Sequence, residues 1–213
     1  MEENREQKKM SGPLIYAVVG VAVLIVAVAG SAYAYYAATA TANISGTAAG
    51  AGLSLTVNKV STGASGNLIP IDADTTTLTN AAKGYGNTGT TFDATKSCID
   101  KNGYSVCQVY EIVVNNKSTA SVVLSGGVTT LEGDNTPNVD CAVMASNISV
   151  TNNASCKSSN SFANNVTFTG GETKIYYMIV YINNINEPQI DKGVFNGIVT
   201  FSSATGKLQA EFN

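Results

Sequence analysis

The chain has 213 residues, a formal net charge of −3 and only 13% charged residues, and it contains neither His nor Trp. With about half the usual share of charge and no basic cluster, it lacks a surface that could track a phosphate backbone, so no nucleic-acid partner is expected. The absence of His removes the commonest general base and the commonest zinc ligand together.

The first element is an apolar run. Arg5, Lys8 and Lys9 precede it, and no charged residue follows until Lys59. Leu14 to Ala34 would span about 31 Å as a helix, the thickness of a bilayer's hydrocarbon core. The basic residues ahead of it predict a cytoplasmic amino terminus, with the rest of the chain outside. The run ends in Ser31-Ala32-Tyr33-Ala34, small residues at the positions a signal peptidase reads, which predicts cleavage between Ala34 and Tyr35. Its length exceeds that of an ordinary signal core, so a retained membrane anchor is the alternative. A prepilin reading would cut after Gly12, but Ser11 replaces the basic residue, Pro13 follows, and the apolar run has no early Glu.

From Ala38 the pattern becomes period 2. Ala38, Ala40, Ala42 and Ile44 alternate with Thr39, Thr41, Asn43 and Ser45, which predicts a strand with one narrow apolar face. Gly46 to Gly52 reads as a flexible break, so residues 35–52 form an amino-terminal strand and linker, and residues 53–213 a globular domain. Leu53, Leu55 and Val57 alternate next. Further strands are predicted at 106–114, 120–131, 142–151, 165–169, 173–182, 194–202 and 207–212. Turns are predicted at Asn115-Asn116-Lys117, Gly126-Gly127, Gly133-Asp134-Asn135, Gly170-Gly171 and Asp191-Lys192-Gly193. Residues 61–97 read as long loops with one or two edge strands. Thr173 to Ile182 is dense enough in Ile, Val and Tyr to be buried on both faces. No helical period stands out beyond residue 40. The fold class is therefore all-β, an antiparallel β-sandwich or jelly-roll-like domain after an apolar amino-terminal helix.

Four cysteines, Cys98, Cys107, Cys141 and Cys156, all lie beyond the apolar run, and none forms a C-x-x-C pair. Two disulfides fit better than a zinc site. Three connectivities are open; the favoured one joins Cys98 to Cys107 and Cys141 to Cys156. Five Asn-x-Ser/Thr sequons begin at Asn43, Asn116, Asn147, Asn153 and Asn165, permitting but not requiring glycans. Asp72 with Asp74 and Glu132 with Asp134 sit in turn-like stretches and lack the remainder of a calcium loop. No nucleophile elbow, phosphate loop or dinucleotide fingerprint is present. Tyr176, Tyr177 and Tyr181 are read as core. No catalytic residue, metal site or cofactor is expected.

The leader ends in Ala34-Tyr35-Tyr36, and Gly50-Ala51-Gly52-Leu53-Ser54-Leu55-Thr56-Val57 follows after a short polar stretch. This junction resembles that of the TasA/camelysin family of secreted bacterial and archaeal matrix-fibre proteins. The segment from Tyr110 to Asn116, and Lys174 to Ile182 together with Gly193 to Val199, are similar to later strands of the same family. The resemblance implies a jelly-roll-like sandwich that polymerises when an amino-terminal strand completes the sheet of the next subunit. Some members are labelled metalloproteases, a role for which this chain offers no His.

Two functions follow as expectations. One is a secreted, extracellular structural subunit, processed by signal peptidase, whose partner is itself and whose donor strand carries Ala38, Ala40, Ala42 and Ile44. The other is a membrane-anchored surface adhesin or sugar-binding sandwich. A secreted hydrolase is a distant third.

Overall fold

The computed structural model describes residues 46–48, 52–64, 68–134, 138–158, 160–185, 194–204 and 206–213, all within one compact unit, Ala38–Asn213. The apolar run, the Ala34/Tyr35 junction and the segment carrying Ala38, Ala40, Ala42 and Ile44 lie outside the described residues. The described elements are β1 (Gly46–Ala48), β2 (Leu53–Lys59), α1 (Thr75–Lys83), β3 (Cys107–Asn116), β4 (Val122–Asp134), β5 (Val139–Ser146), β6 (Ser149–Ser155), β7 (Ala163–Phe168), β8 (Thr173–Ile182), β9 (Val194–Ser203) and β10 (Gly206–Phe212).

The strands make two antiparallel sheets, one of six strands in the order β1-β2-β3-β8-β5-β6 and one of four in the order β10-β9-β4-β7. Alternation turns one face of each strand inward. Leu55, Ile112 and Val180 of the larger sheet meet Leu124, Val199, Phe201 and Leu208 of the smaller, all buried in one inter-sheet core. Each such side chain contributes roughly 1.5–3 kcal/mol of burial. β10 lies across from β2, which fixes how the smaller sheet sits on the larger. The result is the antiparallel sandwich predicted from the spacing of the strands.

A second core lies on the outer face of the larger sheet. The described parts of the connection between β2 and β3 fold back over it, and Leu78 and Ala82 of α1 pack on Val109, Met144, Ile179 and Tyr181. β8 is consequently buried on both sides, Met178 and Val180 inward and Ile179 and Tyr181 under the helix. The covering layer is stitched to the sheet by main-chain bonds, Val60 N–H to Val109 O at 2.8 Å and Ile71 N–H to Ile182 O at 2.9 Å.

Five expectations are corrected. Residues 61–97 hold a helix: Asp74 caps it by accepting from the N–H groups of Thr76 and Thr77, both at 2.9 Å, and Gly84 at φ +81° ends it. Gly46–Ala48 is a short strand rather than part of a flexible break, because Leu53 to Leu55 pair with it. Residues 142–151 are not one strand. β5 and β6 turn back on each other at Asn147-Ile148, so that Met144 faces Val150. Gly126-Gly127 is not a turn, since β4 continues through it, with ladder irregularities on either side. A Cβ on Gly126 would stand 2.3 Å from the Phe201 ring, and one on Gly127 1.8 Å from Ser158 O. These glycines are there for close approach, not for reversal. The turn expected at Gly133-Asp134 likewise gives way to pairing of β4 with β9 as far as Asp134.

Both disulfides are present, Cys98–Cys107 with Cα atoms 4.9 Å apart and Cys141–Cys156 with 5.2 Å. All four cysteines are fully buried, the first pair in the outer core and the second in the inter-sheet core. One cross-link therefore holds each core. Such bonds persist in oxidising compartments.

Candidate functional site

One place where a β-sandwich can engage another molecule is the margin of a sheet. A strand at a margin has one row of N–H and C=O groups without a ladder partner, and proteins blunt such rows with charge, brevity, bulges or a covering element. Three of the four margins are treated this way. β6 is covered by α1: the Thr79 hydroxyl donates to Val150 O at 3.3 Å and accepts from Val150 N–H at 3.0 Å. Asn153 adds a bond from its Nδ2 to Ala73 O at 2.7 Å. β10 carries exposed Lys207 and Glu211. β1 is three residues long.

β7 differs. It reads Ala-Asn-Asn-Val-Thr-Phe, without a charge or a Pro, and Asn164, Asn165 and Thr167 are exposed. On one side it pairs with β4 between Ala163 and Phe168. On the other, no strand among the described residues pairs with it. Its two ends are anchored, since Phe168 is fully buried and Ala163 nearly so. Asn165 at φ +51° gives its N–H to the Ser125 hydroxyl at 2.9 Å, which marks the irregularity in the β4–β7 ladder.

Beside β7 the inner face of β5 emerges from cover. Val139 and Cys141 are buried at 3% and 0%, Val143 is half-buried, and Ala145 is exposed. A hollow of about 380 Å³ opens there, lined by Val143, Ala145, Thr151, Ser155, Ser158 and Ser161. The Ser161 hydroxyl is buried with no hydrogen-bond partner. Buried hydroxyls are ordinarily paired, so this one is conspicuous.

The far end of the sandwich is held by Asn116, which sequence reasoning places in a turn. It is fully buried. Its Nδ2 donates to the carbonyls of Ala120 at 2.8 Å, Thr169 at 3.0 Å and Phe168 at 3.2 Å, while its Oδ1 accepts from the Ser118 N–H and hydroxyl. This clamp joins the end of β3 to the end of β7. It also takes one sequon out of reach of any glycan, whereas Asn153 and Asn165 are exposed. The signal was available, since Asn at a strand end is a common side-chain bridge to backbone. Beside this clamp the Lys174 ammonium, 2.6 Å from Glu172, holds that half-buried carboxyl below its usual range.

A second concavity lies against α1. A cleft of about 530 Å³ has Ile71, Ala81, Ile99 and Val106 for its floor and Lys83, Tyr85 and Lys101 at its rim. Tyr85 is 67% exposed. Asp100 beside it is occupied by its own turn, accepting from the N–H groups of Asn102 and Tyr104. Asp74 caps α1, Asp72 accepts from Asn184 at 3.1 Å, and among the described residues no three acidic or Cys side chains converge. Tyr176 packs on Phe162 and Phe201, Tyr177 donates to Glu111, and Tyr181 is sealed beneath α1, so the tyrosine cluster is largely core.

Fold and margins together define a disulfide-braced antiparallel β-sandwich in which, among the described residues, the edge at β7 is unprotected. No family model matches the chain, and no curated protein matches it in sequence. Among solved structures it is similar to a FixG-related protein from Vibrio parahaemolyticus, at 10% identity and a TM-score of 0.32, over 76% of this chain and 93% of that one. It is also similar to a family 123 glycoside hydrolase from Clostridium perfringens, at 12% identity and a TM-score of 0.30, over 50% of this chain and 20% of that one. The chain thus spans a fifth of that hydrolase. Neither likeness says what this chain does. Among the described residues no helix is long and apolar enough to cross a membrane.

Proposed function

We propose that this protein is an extracellular structural subunit that polymerises into fibres or matrix by donating residues 38–45 to the next copy, with no catalytic role of its own. The observation that carries the reading is where that segment joins the fold. β1 begins at Gly46, directly after it, at the outer margin of the six-stranded sheet, and pairs with only three residues of β2. A sequence that alternates small apolar and hydrogen-bonding residues is thus tethered to a sheet margin rather than to the core. The two buried disulfides fit an oxidising compartment, and the resemblance of the leader junction to the TasA/camelysin family supports the same reading. Leu14 to Ala34 inserts in the membrane first, and signal peptidase then frees Tyr35 as the new amino terminus. The test is the double substitution Ala40→Asp with Ala42→Asp. Charge at these positions makes burial of the donor strand costly. The variant folds, keeps both disulfides and sediments as a monomer, while wild type elongates; equal elongation of both rules residues 38–45 out as donor.

A second reading, a surface adhesin that binds sugar and keeps its anchor, is favoured by the apolar-floored cleft beside α1 with exposed Tyr85 at its rim. Under it the isolated protein retains residues 14–34 by intact mass, and Tyr85→Ala abolishes glycan capture.

A further inference from the structure

Among the described residues six strands face four, which leaves part of the larger sheet's inner face without a partner strand. β10 sits across from both β1 and β2 at one margin, so the shortfall lies toward the other, over β6 and the far end of β5. That is where burial along β5 falls away from Cys141 to Ala145, and where the serine-lined hollow with the unpaired Ser161 hydroxyl opens beside β7. From these observations, and resting on the strand-donation reading above, we propose that the outer edge of β7 is the acceptor and that its occupant is residues 38–45 of a second copy of this chain.

The occupant fits in three respects. Eight residues match the six of β7 in length, with room for overhang. Ala38, Ala40 and Ala42 are small enough to lie against the shallow hollow, and Ile44 covers the half-exposed Val143. The opposite face offers the hydroxyls of Thr39 and Thr41 and the amide of Asn43 beside exposed Asn164 and Thr167, the uncharged pairing that an edge needs.

The chain's own segment does not serve. It joins the fold at β1, and β1 and β6 stand at opposite margins of the six-stranded sheet. Five strand spacings of about 4.8 Å make roughly 24 Å, and eight extended residues reach about 26 Å. The segment would be spent in crossing, with nothing left to pair. The donor is therefore another subunit's. A contact that joins one margin of a subunit to the opposite margin of its neighbour is head-to-tail, and such contacts propagate as open filaments unless the rotation closes a ring.

The experiment places lysines on the edge of the full-length chain, Asn164→Lys with Thr167→Lys, and a matched pair on an exposed loop, Thr88→Lys with Thr90→Lys. Both variants should melt like wild type and keep their disulfides. The edge pair should lower the association constant by roughly tenfold or more, and the loop pair should leave it unchanged. As a second measurement, a chain carrying Ala42→Cys and Asn164→Cys should give a ladder of covalent oligomers on non-reducing gels. If the edge pair elongates like wild type while Ala40→Asp with Ala42→Asp does not, strand donation stands and β7 is not the acceptor. A ladder that is absent from polymer formed by the cysteine chain likewise excludes β7. If wild type itself never elongates, the fibre reading fails and this assignment fails with it.

Discussion

Thr79 on α1 and Val150 on β6 form a reciprocal pair: one hydroxyl satisfies both the N–H and the C=O of a margin residue, at 3.0 and 3.3 Å. In effect the helix stands in for the missing neighbouring strand. Thr79→Val keeps the side chain's shape and removes both bonds. Leaving a part-buried backbone donor and acceptor unsatisfied costs about 1–3 kcal/mol. Urea denaturation should show a loss of that size, together with a tendency of the variant to aggregate through the uncovered edge of β6.

Asn116 is the more demanding test of the far end of the sandwich. Asn116→Ala strips a donor from three carbonyls and an acceptor from Ser118 in a buried site, and should cost on the order of 3 kcal/mol. Asn116→Asp should cost no less, since the carboxylate cannot donate to those carbonyls and would carry charge into the site. Peptide mass spectrometry of protein made in a glycosylating host should find Asn116 unmodified even where other sequons are occupied.

Much of this architecture is legible in the sequence because burial and alternation agree. Thr173 to Ile182 and Lys207 to Phe212 read as strands from composition alone, and β8 and β10 cover them. α1 escapes such a reading for a physical reason. Only Leu78 and Ala82, four residues apart, are buried, and three consecutive Thr open the helix, so its apolar stripe is too narrow to show a period. Its end signals are present nonetheless, in Asp74 before it and Gly84 after it. β5 and β6 read as one strand because Asn147-Ile148 reverses the chain without Gly or Pro. β1 is hidden because Gly46-Thr47-Ala48 owes its strand state to β2, a tertiary preference that propensity does not record. The unprotected edge is not readable at all, since being a margin is a property of strand order.

The disulfides divide the molecule, and their removal should do so too. Cys141–Cys156 closes a separation of 15 residues within the inter-sheet core, worth about 3 kcal/mol in the chain-entropy model. Replacing that pair by Ser should lower global stability. Replacing Cys98 and Cys107 should instead loosen α1 and its layer, seen as faster amide exchange from residues 75 to 106 with the sandwich strands still protected. Because all four cysteines are buried, mild reductant without denaturant should leave both bonds intact.

Alkaline titration gives a signed prediction. Burial raises Tyr110 and Tyr181 above the usual phenol range, with the Asp140 charge adding to Tyr181, which reaches about 12. A raised folded-state value means that stability is complete below the unfolded phenol's pKa near 10 and declines as pH rises from there towards the folded value. Unfolding midpoints should therefore be flat below pH 10 in these two groups' contribution and fall between pH 10 and 12. Tyr110→Phe, which also forfeits the bond to the Asn213 carbonyl, should be less stable at neutral pH but decline less steeply.

The central claim is assembly by strand donation, and electron microscopy of material released by cells making the unaltered chain tests it most directly. Strand donation predicts fibres one subunit wide that an antibody to the sandwich labels along their length, built of protein whose amino terminus is Tyr35. Only monodisperse particles, from protein shown to be folded and disulfide-bonded, would contradict it.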